Sequence, residues 1–262
     1  LWVATSSGVI CVNSDSSVLL FNMNNSSMEC NDIYQIETDD HGNIYAGTYG
    51  RGADKFNGMG WEHINTSKDR LLHNTVKEIV FDLDSVIWGL TPYIDCFGGS
   101  CYRVFSYDPR SEIWTNYTDS LVSSFIPCNL KSIMVDSDNN KYFLFDDLLK
   151  YDNQNWSTIL IPDSFKNHYS QLFLARIDKG NTFFVMTDQG LLECKDNIWK
   201  FYFFGDMGIN DPDNVFFDAI VDDSNNLIML VYVGGTPPAR LVIYDGNNFI
   251  VRNAPTFGQY SY

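Results

Sequence analysis

The sequence predicts an all-β fold, a β-propeller of four-stranded antiparallel blades, with six blades preferred. Three observations carry that expectation. A turn-and-strand signature recurs as "DDHGNIYAGT" at Asp39, "DLDSVIWGLT" at Asp82, "DSDNNKYFLF" at Asp136, "DKGNTFFVMT" at Asp178 and "DDSNNLIMLV" at Asp222, with successive aspartates 43, 54, 42 and 44 residues apart. An aromatic signature rides on the same period: "FNGMGW" from Phe56, "YDPRSEIW" from Tyr107, "YDNQNW" from Tyr151, a degenerate "CKDNIW" from Cys194, and "YDGNNF" from Tyr244. Finally, aromatic and β-branched residues abound while no long 3.6-residue pattern exists, which favours strands. Repeats of about 40–50 residues built from short antiparallel strands have the length of a propeller blade.

The units follow in order. In residues 1–32, "LWVAT" overlays "IYAGT" of the next repeat, so the first unit lacks its innermost strand. Residues 33–75 hold the best copy. Asp39 to Asn43 form the first turn, with Gly42 and Asn43 expected at positive φ; Gly47-Thr48 end the second strand, and Gly50 and Gly52 serve the next connection. A phosphate loop would need a helix to follow, and "ADKFNGMGWEHI" has no helical period. Residues 76–128 read as strands at 76–81, 86–91, 102–107 and 112–118, and an insertion from Pro92 to Cys101 explains most of the 54-residue spacing. Units 129–169, 170–213 and 214–262 complete the set, all within a single domain. The closing residues 256–262 are expected to supply the strand missing from the first unit, leaving no open edge there. A seven-bladed ring with one blade outside this sequence is the alternative.

Composition bounds the function. With 33 acidic and 17 basic residues the net charge is −16, a surface that repels a nucleic-acid backbone. No apolar run reaches the length of about 18 residues that a membrane-spanning helix needs. The chain starts at Leu1 without an initiator Met, so it reads as a processed product or part of a longer chain or assembly. Six cysteines show neither a CxxC pair nor zinc spacing; Cys96 and Cys101 are the disulfide candidates. Glycosylation sequons occur at Asn24, Asn25, Asn65, Asn116 and Asn155. The cysteines and sequons together point to an oxidising, extracellular or periplasmic setting.

The pattern D-x-x-G-N-[IL]-[WY]-x-G-T-x-x-G, followed by [YF]-[DN] and a Trp, resembles the two-component regulator propeller repeat. Asp39, Gly42, Asn43, Ile44, Tyr45, Gly47 and Thr48 match it best; Asp82, Ile87, Trp88 and Thr91 match in part, as do Trp2 and Thr5. The likeness spans essentially the whole chain and weakens in the last three units, where Gly47-Thr48 is replaced by Leu144-Phe145, Met186-Thr187 and Leu230-Val231. It implies an exported sensor or recognition module, of the kind found in periplasmic receptors that bind glycans and in surface-anchoring or secretion-associated proteins. The matching positions set the fold, so they carry structure rather than a site.

Each chemical motif has a plainer reading beside it. Asp136, Asp138 and Asn140 resemble the start of a calcium loop, yet no bidentate Glu follows at the required distance and the position is a hairpin turn in every other repeat; no cofactor is expected, with calcium the one candidate. Of the histidines, His41 is a turn residue and His63 lies in a fourth strand, while His73 and His168 sit on connections before first strands. No nucleophile or orienting partner is visible for any of them. Asp146-Asp147 are read as solvated turn charges, because neighbours on a strand point to opposite faces. Binding is expected where second strands lead to third strands and blade leads to blade. The candidates are Tyr49, Arg51, Tyr93, Asp95, Phe97, Asp188 and Arg240, with aromatics to stack on a sugar or peptide and arginines to meet carboxylates. The preferred function is a non-enzymatic exported module that binds a protein or glycan through these loops. The alternatives are a propeller-fold polysaccharide lyase or glycoside hydrolase, and a structural subunit of an extracellular assembly.

Overall fold

The structure is a computed structural model that describes residues 1–39, 41–64, 74–93, 101–111, 113–117, 130–210, 213–234 and 239–253. It is a six-bladed β-propeller in which every sheet is a sequential antiparallel meander, the first with three strands and the others with four. Blade one holds β1 (Trp2–Thr5), β2 (Gly8–Val12) and β3 (Val18–Phe21). Blade two holds β4 (Ile33–Thr38), β5 (Ile44–Thr48), β6 (Ala53–Phe56) and β7 (Trp61–Ile64). Blade three holds β8 (Glu78–Phe81), β9 (Ile87–Tyr93), β10 (Cys101–Asp108) and β11 (Ile113–Asn116). Blade four holds β12 (Ser132–Val135), β13 (Lys141–Leu144), β14 (Leu148–Tyr151) and β15 (Trp156–Ile159). Blade five holds β16 (Leu172–Ile177), β17 (Phe183–Thr187), β18 (Gly190–Lys195) and β19 (Ile198–Phe203). Blade six holds β20 (Val215–Val221), β21 (Leu227–Tyr232), β22 (Ala239–Tyr244) and β23 (Phe249–Asn253). The one helix among the described residues is a single turn, α1 (Asp163–Lys166).

The repeated aspartate is a turn organiser. One carboxylate oxygen of Asp39 accepts the backbone N–H groups of His41 and Asn43, and the pattern returns at Asp82, Asp136, Asp178 and Asp222 with the N–H groups two and four residues on. The third residue after each aspartate lies in the left-handed region: Gly42, Ser85, Asn139, Asn181 and Asn225 have φ of 80, 59, 65, 60 and 70°. This corrects the expectation for Asn43, which is not among the positive-φ residues; its amide instead donates to Asp39 at 2.7 Å. The calcium reading also loses its donors. Asp136 accepts two backbone N–H groups, the Asn140 amide and the Tyr142 hydroxyl, so both its oxygens are committed to protein donors.

The aromatic signature is a cross-strand pair on the outer hairpin. Phe56 stands opposite Trp61, Tyr107 opposite Trp114, Tyr151 opposite Trp156 and Tyr244 opposite Phe249. The last three pairs stack with ring centroids 4.3, 4.6 and 4.4 Å apart. Such pairs add roughly 0.5–1.5 kcal/mol each beyond their area burial. In blade three the strands fall close to the expected positions, but β9 runs on through Pro92 and Tyr93, which pair with Tyr102 and Cys101. The insertion thus begins as an extension of the hairpin, with Pro92 near a strand end, where a missing N–H is tolerated.

Two compact units divide the chain, Leu1–Val135 and Asp136–Tyr262. In the first, Trp2, Val9 and Phe21 pack on Ile33, Ile44 and Trp61, and a second cluster forms around Tyr45, Val76, Ile79 and Phe105. In the second, Phe184, Met186, Leu191, Leu227, Met229, Val242 and Tyr244 build one core between blades five and six. Each fully buried side chain of this size stabilises the fold by roughly 1.5–3 kcal/mol. The expected closure by residues 256–262 lies outside the described residues.

Candidate binding site

Three turns are built alike, those from β1 to β2, from β5 to β6 and from β17 to β18. The hydroxyls of Thr5, Thr48 and Thr187 donate to the carbonyls of Gly8, Gly52 and Gly190 at 2.7, 2.7 and 2.9 Å. Gly190 has no substitute there: its φ is 153° and a Cβ would meet the Tyr202 carbonyl oxygen at 2.0 Å. What lies between Thr and Gly is displayed: Tyr49, Gly50 and Arg51 in the first unit, Asp188 and Gln189 in the second.

In the second unit this turn faces the connection from β19 to β20 across a cleft of about 580 Å³. Phe204 and Ile209, both buried, supply apolar lining, and Phe203 and Val215 line it while 45% and 40% exposed. Gln189, Asn210 and Asp213 add polar groups, and no Lys, Arg or His lines it among the described residues. The side chains of Asn210 and Asp213 make no hydrogen bond or ion pair among the described residues. Phe203 is held in place: its N–H donates to Asp206 at 2.9 Å, and its ring meets His168 edge-on at 5.5 Å and Phe201 at 4.9 Å. Tyr169 lies parallel to Phe201 at 6.4 Å, and burial pushes its phenol up to about 12. The result is an aromatic wall beside a carboxamide and a carboxylate.

Asp188 lines the cleft as the sequence suggested, but its carboxylate is already used. It accepts the N–H groups of Ser170 and Gln171 at 2.9 and 3.1 Å and the Ser170 hydroxyl at 2.6 Å. Burial works against its charge, yet these bonds outweigh it and hold the carboxyl below its usual range. Asp188 therefore shapes the wall, while Phe203, Asn210 and Asp213, which sequence reading missed, are the residues left for a ligand. Their segment, "FFGDMGINDPDN", carries no repeat signature; its cluster of Gly, Asp and Asn after an aromatic strand was the available signal.

The other candidates are placed as follows. Tyr49 is 59% exposed and meets the exposed Tyr34 edge-on at 6.1 Å, with Arg51 exposed two residues on. Arg240 is half-buried on β22, opposite Val231 and Asn253 rather than in a loop. Tyr93 closes β9 and Cys101 opens β10, but their side chains lie outside what is described, as do Asp95, Cys96, Phe97, His73 and Asn65 altogether. Cys11, Cys30 and Cys194 are buried free thiols, the last pushed up to about 11 by burial. Of the other sequons, Asn24, Asn25, Asn116 and Asn155 are exposed, although the Asn25 amide donates to the Leu20 carbonyl.

Two sequence readings are corrected. His63 does have oriented partners: its Nδ1 is 2.7 Å from Asp54 and its Nε2 is 3.3 Å from Glu29. Asp54 is fully buried, one of its oxygens has no partner among the described residues, and burial pushes its carboxyl up against the opposing effect of His63. Asp147 is not a solvated turn charge, for it accepts the Ile161 N–H at 2.8 Å and pairs with Lys166 at 2.8 Å, whereas Asp146 is exposed.

No protein-family model and no curated protein matches the chain. Solved structures do. The extracellular domains of two proteins described as hybrid two-component systems of B. thetaiotaomicron align over 98% of the chain, with TM-scores of 0.69 and 0.67 and identities of 15% and 17%. The chain spans 34% and 32% of those domains, about a third of their length. Virginiamycin B lyase from Staphylococcus aureus aligns over 98% of the chain and 81% of its own, with a TM-score of 0.68 and 10% identity. At these identities the likeness is one of fold. No helix among the described residues is long and apolar enough to cross a membrane.

Proposed function

We propose that this chain is a non-enzymatic recognition module of an exported protein, which engages a protein or glycan through its loop end. The observation that carries this reading is the cleft beside Phe203, where an aromatic wall stands next to Asn210 and Asp213, whose side chains make no hydrogen bond or ion pair among the described residues. A concave site with apolar walls and a few polar groups is the usual form of a ligand pocket. The fold shared with extracellular sensor domains supports an extracellular or periplasmic location and membership of a larger assembly. Calorimetric titration against glycan and peptide libraries tests the reading. Phe203→Ala and Asn210→Ala should each weaken the ligand found by roughly tenfold or more, with the thermal midpoint unchanged. Full affinity in both variants would remove the cleft from the function.

The lyase or hydrolase reading has one supporting observation, the Asp54–His63–Glu29 array, which has the base-and-orienter form of an acid–base group. None of these three residues lines the cleft. Turnover of a polysaccharide that is abolished in His63→Ala and kept in Phe203→Ala would favour it over recognition.

A further inference from the structure

The geometry points to the cationic side chain of a partner peptide, an arginine or lysine, as the group the cleft accepts; this rests on the recognition reading above and narrows its ligand. Four features converge. Asp213 lines the cleft and presents an exposed carboxylate with no ion pair among the described residues. Asp188 keeps a second negative charge at the wall through its internal hydrogen bonds. No cation among the described lining residues neutralises either, and the whole chain carries −16. The apolar part of the lining, Phe204, Ile209 and Val215, suits the methylene stem of such a side chain better than a hydroxylated ring.

Phe203 completes the fit. Its ring is partly exposed and braced by His168 and Phe201, so it can flank a guanidinium or ammonium at low entropic cost. A planar guanidinium pairs with a carboxylate through two parallel hydrogen bonds while stacking on an aromatic ring, which makes arginine the better occupant. The same arrangement rejects uronate, sulfate or phosphate groups, since each would place a like charge beside Asp188 and Asp213.

The test titrates the full chain with four probes: a capped arginine-containing peptide, the same peptide with citrulline for arginine, a glucosamine tetramer and a galacturonate tetramer. The expected result is binding of the arginine peptide, at least about tenfold weaker for citrulline. Asp213→Asn and Phe203→Ala should weaken it similarly, whereas Asp152→Asn, which removes a charge on the β14–β15 turn and not from the cleft lining, should leave it unchanged. Equal losses in Asp213→Asn and Asp152→Asn would mean diffuse attraction to an acidic protein and overturn the proposal. Preference for either sugar probe with loss in Phe203→Ala would overturn the cationic peptide and leave the recognition cleft standing. Binding of none of the probes at high protein concentration would overturn the proposal, and the recognition reading would then depend on the library titration alone.

Discussion

Asp136 is 3% exposed and its carboxylate accepts four hydrogen bonds, two from the backbone and one each from Asn140 and Tyr142. Replacing it with alanine strands the Tyr142 hydroxyl, which is buried, and frees two turn N–H groups. Hydrogen bonds to charged groups contribute roughly 1.5–3 kcal/mol each, and the effects are not additive when partners relax to water. Asp136→Ala should therefore destabilise by about 3 kcal/mol, read as a fall in the urea midpoint at unchanged slope. The same residue explains why a calcium motif and a hairpin look alike in sequence. Both need an aspartate facing inward over a tight turn, and only the donors around it decide which one forms. Those donors include Tyr142, six residues on, whose hydroxyl reaches back to the carboxylate from the following strand.

At the scale of the element, the outer hairpins share a second turn aspartate with its own pH signature. Asp108, Asp152 and Asp245 accept backbone N–H groups within their turns, and these bonds hold each carboxyl below its ordinary range. Asp222 on an inner turn behaves alike, with the Asn226 amide as the main cause. A folded pKa below the unfolded one means that the stabilisation is complete above about pH 4 and lost as pH falls through the folded values. Asp54 acts in the opposite sense, because burial raises its carboxyl. The thermal midpoint should thus hold steady near neutral pH and fall below about pH 4, with a shallower acid fall in Asp245→Asn than in the parent. An identical acid profile in the two would show that the turn bonds persist in the unfolded chain. These hairpins were also the most legible part of the sequence, since a turn residue and an aromatic pair at fixed spacing are local signals. The cleft was not. Asp188 was visible because it lies where a second strand leads to a third, but its engagement with Ser170 is a contact 18 residues away. Phe203 reads in sequence as one more outer-strand aromatic, and only the packing of His168 and Phe201 shows that its ring stands at the rim of a cavity.

At the scale of the whole molecule, the excess of 33 acidic over 17 basic residues acts on encounter rather than on the fold. The summed field of such an acidic surface reaches about a Debye length, roughly 8 Å at physiological salt. A cationic peptide approaching the cleft gains from that field before it touches Asp213, and a neutral one does not. Rim and remote charges change association rates, whereas contacts formed in the bound state set dissociation. The association rate of the arginine peptide should therefore fall steeply as salt rises, while its dissociation rate stays nearly constant. Asp213→Asn should do the reverse, with faster dissociation and little change in the salt dependence of association. Stopped-flow fluorescence with a labelled peptide separates the two. A salt-independent association rate would mean that the acidic surface serves solubility alone, and that any preference for a cation arises entirely within the cleft.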